Sequence, residues 1–266
     1  MLFRYSGLSA IQSNDTLQRA VAWTVYHPAA VNREIPFYRF EPSITADFPD
    51  GVLLEAAKSA PTPILNIPSY GFEIYNILHR IHLLGIAISR PWLAIVNRIA
   101  VSNTLYEAEY DMLALSAKLA ESSPGQGNDT SIANALLVTS QIFGYGILRS
   151  LPFLTRTIEL FLQRLIAELD QDELLETWKD QCSLEALLWV ICIGLLASVE
   201  SSSRNWFKVR MIRVMQLLQV TDFADLEDIL MGYAWSDFCR FHFEPLWNKV
   251  YTTGVIQESQ ELDDER

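Results

Sequence analysis

The chain has 266 residues, half of them hydrophobic, and a formal net charge of −12. This composition provides enough apolar surface for a large core and excludes a chain that is disordered throughout. Acids outnumber bases by 32 to 20, whereas nucleic-acid binding depends on clustered Lys and Arg, so we expect no specific DNA binding by this chain alone.

The sequence shows no export or membrane signal. The first 23 residues lack a continuous apolar run, and no uninterrupted apolar stretch reaches the length that crosses a bilayer. The three cysteines, Cys182, Cys192 and Cys239, are widely spaced and odd in number. They predict buried free thiols in a reducing, intracellular compartment. The absence of an apolar span predicts that the protein binds no membrane.

The N-terminal quarter carries the weakest periodicity. Residues 5–26 fit one amphipathic helix, and residues 28–68 hold seven of the eleven prolines. Because proline interrupts helices, we expect 28–68 to be an irregular segment, with Val52 to Ser59 as the one stretch that could be helical, packed on the rest of the protein through its aromatic residues.

Helical periodicity dominates the middle of the chain. Residues 69–89 repeat apolar positions every three to four residues, and a further helix is predicted from Pro91 to Leu119, either continuous or broken near residues 102–103. After a surface loop at 121–131, residues 132–149 form a nearly all-apolar run, and another helix is predicted to begin at Pro152. The apolar run indicates a central, buried helix.

The C-terminal third begins with an apolar stretch from Leu184 to Val199, for which Ser183 is the expected N-cap. This stretch is too short for a bilayer, so we predict a helix that is buried on nearly all sides. A second helix follows the serines at 201–203, and its spacing predicts that the Arg210 guanidinium stacks on the Trp206 indole. Thr221 or Asp222 caps a third helix. We expect Pro245 to lie in the first turn of a last short helix.

Together these elements predict an all-α fold, a single multi-helix array over residues 1–251 with the Pro-rich irregular segment at 28–68, followed by a disordered acidic tail at 252–266. The predicted core residues are Leu188, Trp189, Ile193, Leu196, Phe207, Met211, Leu218, Leu230 and Tyr233.

Two clusters have the residue types of a chemical site. His79 and His82 stand three apart on a predicted helix, a spacing that can present two imidazoles to a metal, with Glu73 and Glu107 as further ligands. Cys239 precedes His242 by three residues, which suggests a thiolate pair. Packing explains both clusters more simply.

A third cluster, Asp222, Asp225 and Asp228, suggests magnesium held for a diphosphate, although helix capping accounts for it. Gly144 and Gly146 interrupt an apolar helix and fit a packing notch better than a phosphate loop. We therefore predict no catalytic, cofactor-binding or metal-binding residue, and no enzymatic activity.

One resemblance adds to this interpretation. The strings LLWVICIGLLAS, RNWFKVRMIRVMQLLQV and DFADLEDILMGYAWSDFC, with a terminal LW, resemble the C-terminal part of fungal-specific transcription factor regulatory domains. The upstream string SRPWLAIVNRIAVSNTLYEAEYDMLAL is similar to an earlier segment of those domains, and the likeness covers about residues 70 to 250. Such domains accompany binuclear zinc-cluster DNA-binding modules, whose six clustered cysteines have no counterpart here.

The resemblance implies a transcription regulator or co-regulator in the nucleus that acts through protein partners, such as the transcription machinery or a zinc-cluster regulator. A small-molecule effector and a homodimer are compatible with it. The alternative is an all-α enzyme or small-molecule-binding protein of the same fold, for example in a fungal secondary-metabolite pathway, with a cytoplasmic location. This alternative is based on the aromatic residues around Trp206, Trp235 and Trp247, which could line a hydrophobic pocket.

Overall fold

The structure, a computed structural model, describes residues 14–121, 127–171, 173–198 and 203–249. Within these ranges it contains eleven α-helices and no β-strand, so the predicted all-α class is confirmed. The predicted acidic tail at 252–266 lies outside the described residues, as do residues 5–13 of the first predicted helix.

The helices follow one another with short connections. In chain order they are α1 Asp15–Asn32, α2 Asp50–Lys58, α3 Gly71–Ala87, α4 Arg98–Glu121, α5 Gly127–Ile142, α6 Arg156–Leu169, α7 Leu174–Gln181, α8 Leu184–Ala197, α9 Arg204–Leu218, α10 Phe223–Leu230 and α11, residues 237–249. Short 3-10 turns at Thr62–Asn66 and Trp92–Ala94 flank α3, and a π-helical turn, Phe143–Leu148, extends α5.

Helix α8 is the centre of the array. The Ser183 hydroxyl accepts a hydrogen bond from the Ala186 amide at 3.0 Å and begins the helix as predicted. Every residue from Ala186 to Ala197 is buried, because α5, α6, α7, α9 and α10 all contact α8. A Cβ on Gly194 would lie 2.3 Å from the Phe207 ring, so this glycine permits the close approach of α9.

The predicted core residues are buried, except that Leu218 is only half-buried at the end of α9. The N-terminal helices pack on this core in pairs, α3 with α4 and α5 with α6, and α1 lies along α4. A second, smaller apolar cluster joins α2 to the last turns of α3 through Val52, Ala56 and Leu83.

Two helices run through prolines, contrary to expectation. Helix α1 continues past Pro28 to Asn32, so the irregular stretch begins later than residue 28. Pro245 lies inside α11 and not in its first turn. A proline at i frees the carbonyl at i−4, here of Thr24 and Phe241. Both of these residues are exposed, so water can solvate the freed carbonyls and the helices continue.

One described stretch, Thr130–Leu148, is long and apolar enough to cross a membrane by length and composition alone, and 89% of it is buried within the array. Such burial is typical of a core helix, which matches the central position predicted for residues 132–149.

Candidate functional site

The two histidines of α3 are separated by their surroundings. His82 is buried, and its Nδ1 and Nε2 lie 2.5 Å from the Tyr233 carbonyl oxygen and 2.9 Å from the Ser59 hydroxyl. Burial lowers the His82 pKa to about 4, so the ring is neutral and both nitrogens are occupied. His79 stacks on Tyr75 instead. Within the described ranges, no three His, Cys, Asp or Glu residues are placed to hold a metal ion.

Cys239 and His242 do not form a pair. The Cys239 thiol is buried and lies 3.4 Å from the Ser236 hydroxyl, and burial raises its pKa to about 12, so it stays protonated. The His242 ring is exposed and lies between Phe238 and Phe241, at centroid distances of 4.3 and 5.2 Å. The thiol is therefore buried while the imidazole is exposed, and the two form no thiolate–imidazole pair.

The acidic cluster of α10 works mainly as a cap. The Asp222 carboxylate accepts a hydrogen bond from the Asp225 amide at 2.9 Å, and Asp225 accepts one from the Thr221 hydroxyl at 3.2 Å. The first bond satisfies an amide that the start of the helix leaves without a backbone acceptor, and the second ties the preceding residue to the same turn. Asp228 takes no part in the cap and is exposed.

The predicted tryptophan pocket is not formed jointly by its three rings. The Arg210 guanidinium covers Trp206 at 3.5 Å, as predicted, and also pairs with Asp170 at 3.0 Å. Trp247 packs on Phe223, and Trp235 packs edge-on against Phe243 at 5.7 Å. Each ring therefore packs against its own neighbours.

The sequence did not predict one buried ion pair. Arg149, after the π-helical turn, pairs with Glu109 of α4, and its guanidinium lies 4.6 Å from the ring centroids of both Trp23 and Tyr106. Burial and the Glu109 carboxylate raise the pKa of the nearby Tyr145 far above its usual range, so this phenol stays protonated. Cation–π contacts and the ion pair thus join α1, α4 and the end of α5. Sequence patterns did not predict them, because the partners lie 40 or more residues apart and share no motif.

The outer side of α11 carries an exposed aromatic surface. Phe241 is 74% exposed and Leu154, from the α5–α6 connection, is 71% exposed. The Phe153 ring lies 6.5 Å from Phe238, which in turn contacts His242. We call the surface formed by Phe153, Leu154, Phe238, Phe241 and His242 the aromatic face.

Local sequence explains why these rings point outward. At 3.6 residues per turn, Phe241 lies about 160° round the helix from both Cys239 and Phe243, which are buried. The three phenylalanines of α11 differ in exposure: Phe243 is buried, Phe238 is 39% exposed and Phe241 is 74% exposed. Gly146 completes the surface, because a Cβ there would lie 2.3 Å from the Phe153 ring. This is the packing notch predicted for Gly146, whereas a Cβ on Gly144 would meet nothing within 4 Å.

Comparisons with known proteins identify no relative: no family model, no curated protein and no solved structure matches the chain.

Proposed function

We propose that this chain is a transcription-regulator domain that acts through protein partners, with the aromatic face as its partner-binding surface. The exposure of Phe241, in contact with His242 beside the half-exposed Phe238, is the observation that carries the proposal. Single exposed apolar residues are ordinary on protein surfaces, but contiguous aromatic patches mark sites of protein association.

The chemistry of the aromatic face suits a protein partner. Aromatic side chains contribute large contact areas at low cost in conformational entropy and are enriched among the residues that dominate binding energy. Phe241 lies at the centre of the solvent side of α11, with Phe238 and His242 beside it, so a partner that covers Phe241 also reaches its neighbours.

The resemblance to fungal regulatory domains supplies the biological context of the proposal. Three of its four strings cover α8 to the start of α11, and the last of them includes Phe238 of the aromatic face. A net charge of −12 disfavours direct contact with DNA, so a partner would bring the domain to its genes in the nucleus. The proposed role includes no catalytic activity.

A tethering experiment tests the role. The chain is fused to an unrelated DNA-binding module, and transcription of a reporter that carries the matching operator is measured. We expect the fusion to change reporter output relative to the module alone, and Phe241→Ala to abolish the change. The matched control is Leu217→Ala, since Leu217 is exposed on α9 and does not belong to the aromatic face.

Two results would overturn the role in transcription. One is a folded fusion that leaves reporter output equal to that of the module alone. The other is an effect that Phe241→Ala and Leu217→Ala reduce to the same extent, because the aromatic face would then have no special part in it.

A further inference from the structure

A second surface feature adjoins the aromatic face on the other side of α11. A cleft of about 340 Å³ lies where α2 and the end of α3 meet α10 and the start of α11. Four carboxylates, from Glu55, Glu227, Asp228 and Asp237, line it together with the guanidinium groups of Arg90 and Arg240. We call it the acidic cleft.

Internal bonds account for three of these four carboxylates. Glu55 accepts a hydrogen bond from the Trp92 indole at 2.7 Å, and Glu227 pairs with Arg240 at 3.3 Å. Asp237 accepts a hydrogen bond from the backbone amide of Arg90 at 2.8 Å. Asp228 is exposed and enters no ion pair within the described ranges, so the cleft keeps an excess of negative charge.

A second and independent observation points to a ligand. Trp235 lines the acidic cleft and is only 2% exposed, yet its Nε1–H has no acceptor among the described residues. A buried donor without an acceptor destabilises the folded state, and a bound carbonyl or carboxylate oxygen would satisfy it. In contrast, the buried Trp189 indole donates to the Ala234 carbonyl at 2.8 Å.

The cleft and the aromatic face share one helix. Asp237 and Arg240 line the cleft, and Phe241 lies about 40° and 100° round α11 from them, towards Phe238. A segment that crosses this helix would therefore meet carboxylates on one side and aromatic rings on the other.

We propose that the acidic cleft binds a basic peptide segment of the protein partner, with Lys or Arg side chains beside Asp228 and a backbone carbonyl accepting from the Trp235 Nε1–H. This inference rests on the proposed function and specifies the chemistry of the partner. Charge complementarity selects the basic side chains, because a partner rich in acids would meet four carboxylates at close range. The adjoining aromatic face selects apolar residues in the same segment.

The probe for the test is a fluorescein-labelled octapeptide of alternating Arg and Leu, compared with the same peptide carrying Glu in place of Arg. Fluorescence anisotropy measures binding to the full chain. We expect the Arg peptide to bind and Asp228→Lys to weaken its binding by about 5-fold, since each exposed charge contact contributes up to about 1 kcal/mol. Asp180→Lys is the matched control, because Asp180 is also exposed, lies on α7 and changes the net charge equally.

The indole signals of the ¹⁵N-labelled protein report on the predicted donor. Trp235→Phe identifies the Nε1–H resonance of Trp235, and we expect addition of the Arg peptide to move that resonance further than the one of Trp189. Equal effects of Asp228→Lys and Asp180→Lys, equal binding of the Glu peptide, or an unmoved Trp235 resonance would each overturn the inference.

The two proposals fail separately. If Asp228→Lys and Asp180→Lys weaken peptide binding equally while Phe241→Ala still abolishes the fusion's effect on the reporter, the acidic cleft is not the site and the proposed function stands. If only Asp228→Lys weakens peptide binding while the Phe241→Ala fusion keeps the full effect on the reporter, the cleft remains a site for basic peptides and the proposed function fails.

Discussion

Helices α8 and α11 both carry large apolar side chains but place them in opposite surroundings. Every residue of α8 from Ala186 to Ala197 is buried, with Trp189 bonded to a backbone carbonyl and stacked on Tyr233. Helix α11 buries Cys239 and Phe243 on one side and exposes Phe241 on the other. The same residue types therefore serve two purposes.

The difference shows where apolar residues contribute stability and where they do not. A ring in the core gains free energy by leaving water during folding, whereas an exposed ring gains almost nothing. Phe241 should therefore contribute little to the free energy of folding. A partner that covers its ring would remove that apolar surface from water, which would favour binding. Substitutions in the two helices separate these effects.

The largest effect is expected from Trp189→Ala in α8. We predict a loss of about 3–5 kcal/mol in the free energy of unfolding, because the substitution leaves a large cavity beside Tyr233 and removes the donor to the Ala234 carbonyl. Urea unfolding followed by circular dichroism measures it. A loss below about 1 kcal/mol would contradict the central position of α8.

The second-largest effect is a pH dependence of the free energy of unfolding, caused by His82 of α3. His82 of α3 holds the turn before α11 through the Tyr233 carbonyl, and burial lowers its pKa from 6.5 to about 4. Between these values the unfolded chain binds a proton that the folded chain does not. Full stability is therefore present above pH 6.5, and about 3 kcal/mol is lost as the pH falls to 4.

Unfolding free energies measured at several pH values for the wild type and His82→Gln isolate this contribution. The difference between the two proteins should shrink as the pH falls through that window. A difference that stays constant from pH 7 to about 4 would show that protonation of His82 is not linked to folding.

A smaller effect is expected at the cap of α10, the helix that precedes the turn to α11. Asp222→Ala removes the acceptor of the Asp225 amide, and we predict a loss of about 1 kcal/mol in the free energy of unfolding. Asp228→Ala is the matched control, since Asp228 takes no part in the cap. Equal losses for the two variants would exclude a special role for Asp222.

Patterns in the sequence predicted those parts of the fold that depend on neighbours along the chain. The Ser183 cap, the buried length of α8 and the Arg210–Trp206 stack follow from residues within a turn or two of each other. The Glu109–Arg149 pair was missed because its partners meet only through tertiary packing.

The candidate site was harder to predict for a related reason. Periodicity along α11 shows that aromatic rings occupy different sides, but only the packed array determines which side faces solvent. Pro245 led to a further wrong prediction, because proline is common in the first turn of a helix. Phe241 and Pro245 in fact lie in the same helix, α11. The acidic cleft brings together four elements, and no local motif joins them.

The most direct test of the central claim compares two phenylalanines of one helix. Phe241→Ala and Phe243→Ala are made in the full chain, and both urea stability and tethered reporter output are measured. We predict that Phe241→Ala changes the free energy of unfolding by less than about 0.5 kcal/mol and abolishes the reporter effect. Phe243→Ala should cost about 3–5 kcal/mol, since its ring is fully buried. If Phe241→Ala instead destabilises the fold as strongly as Phe243→Ala, or leaves the reporter effect intact, the aromatic face is not the functional surface.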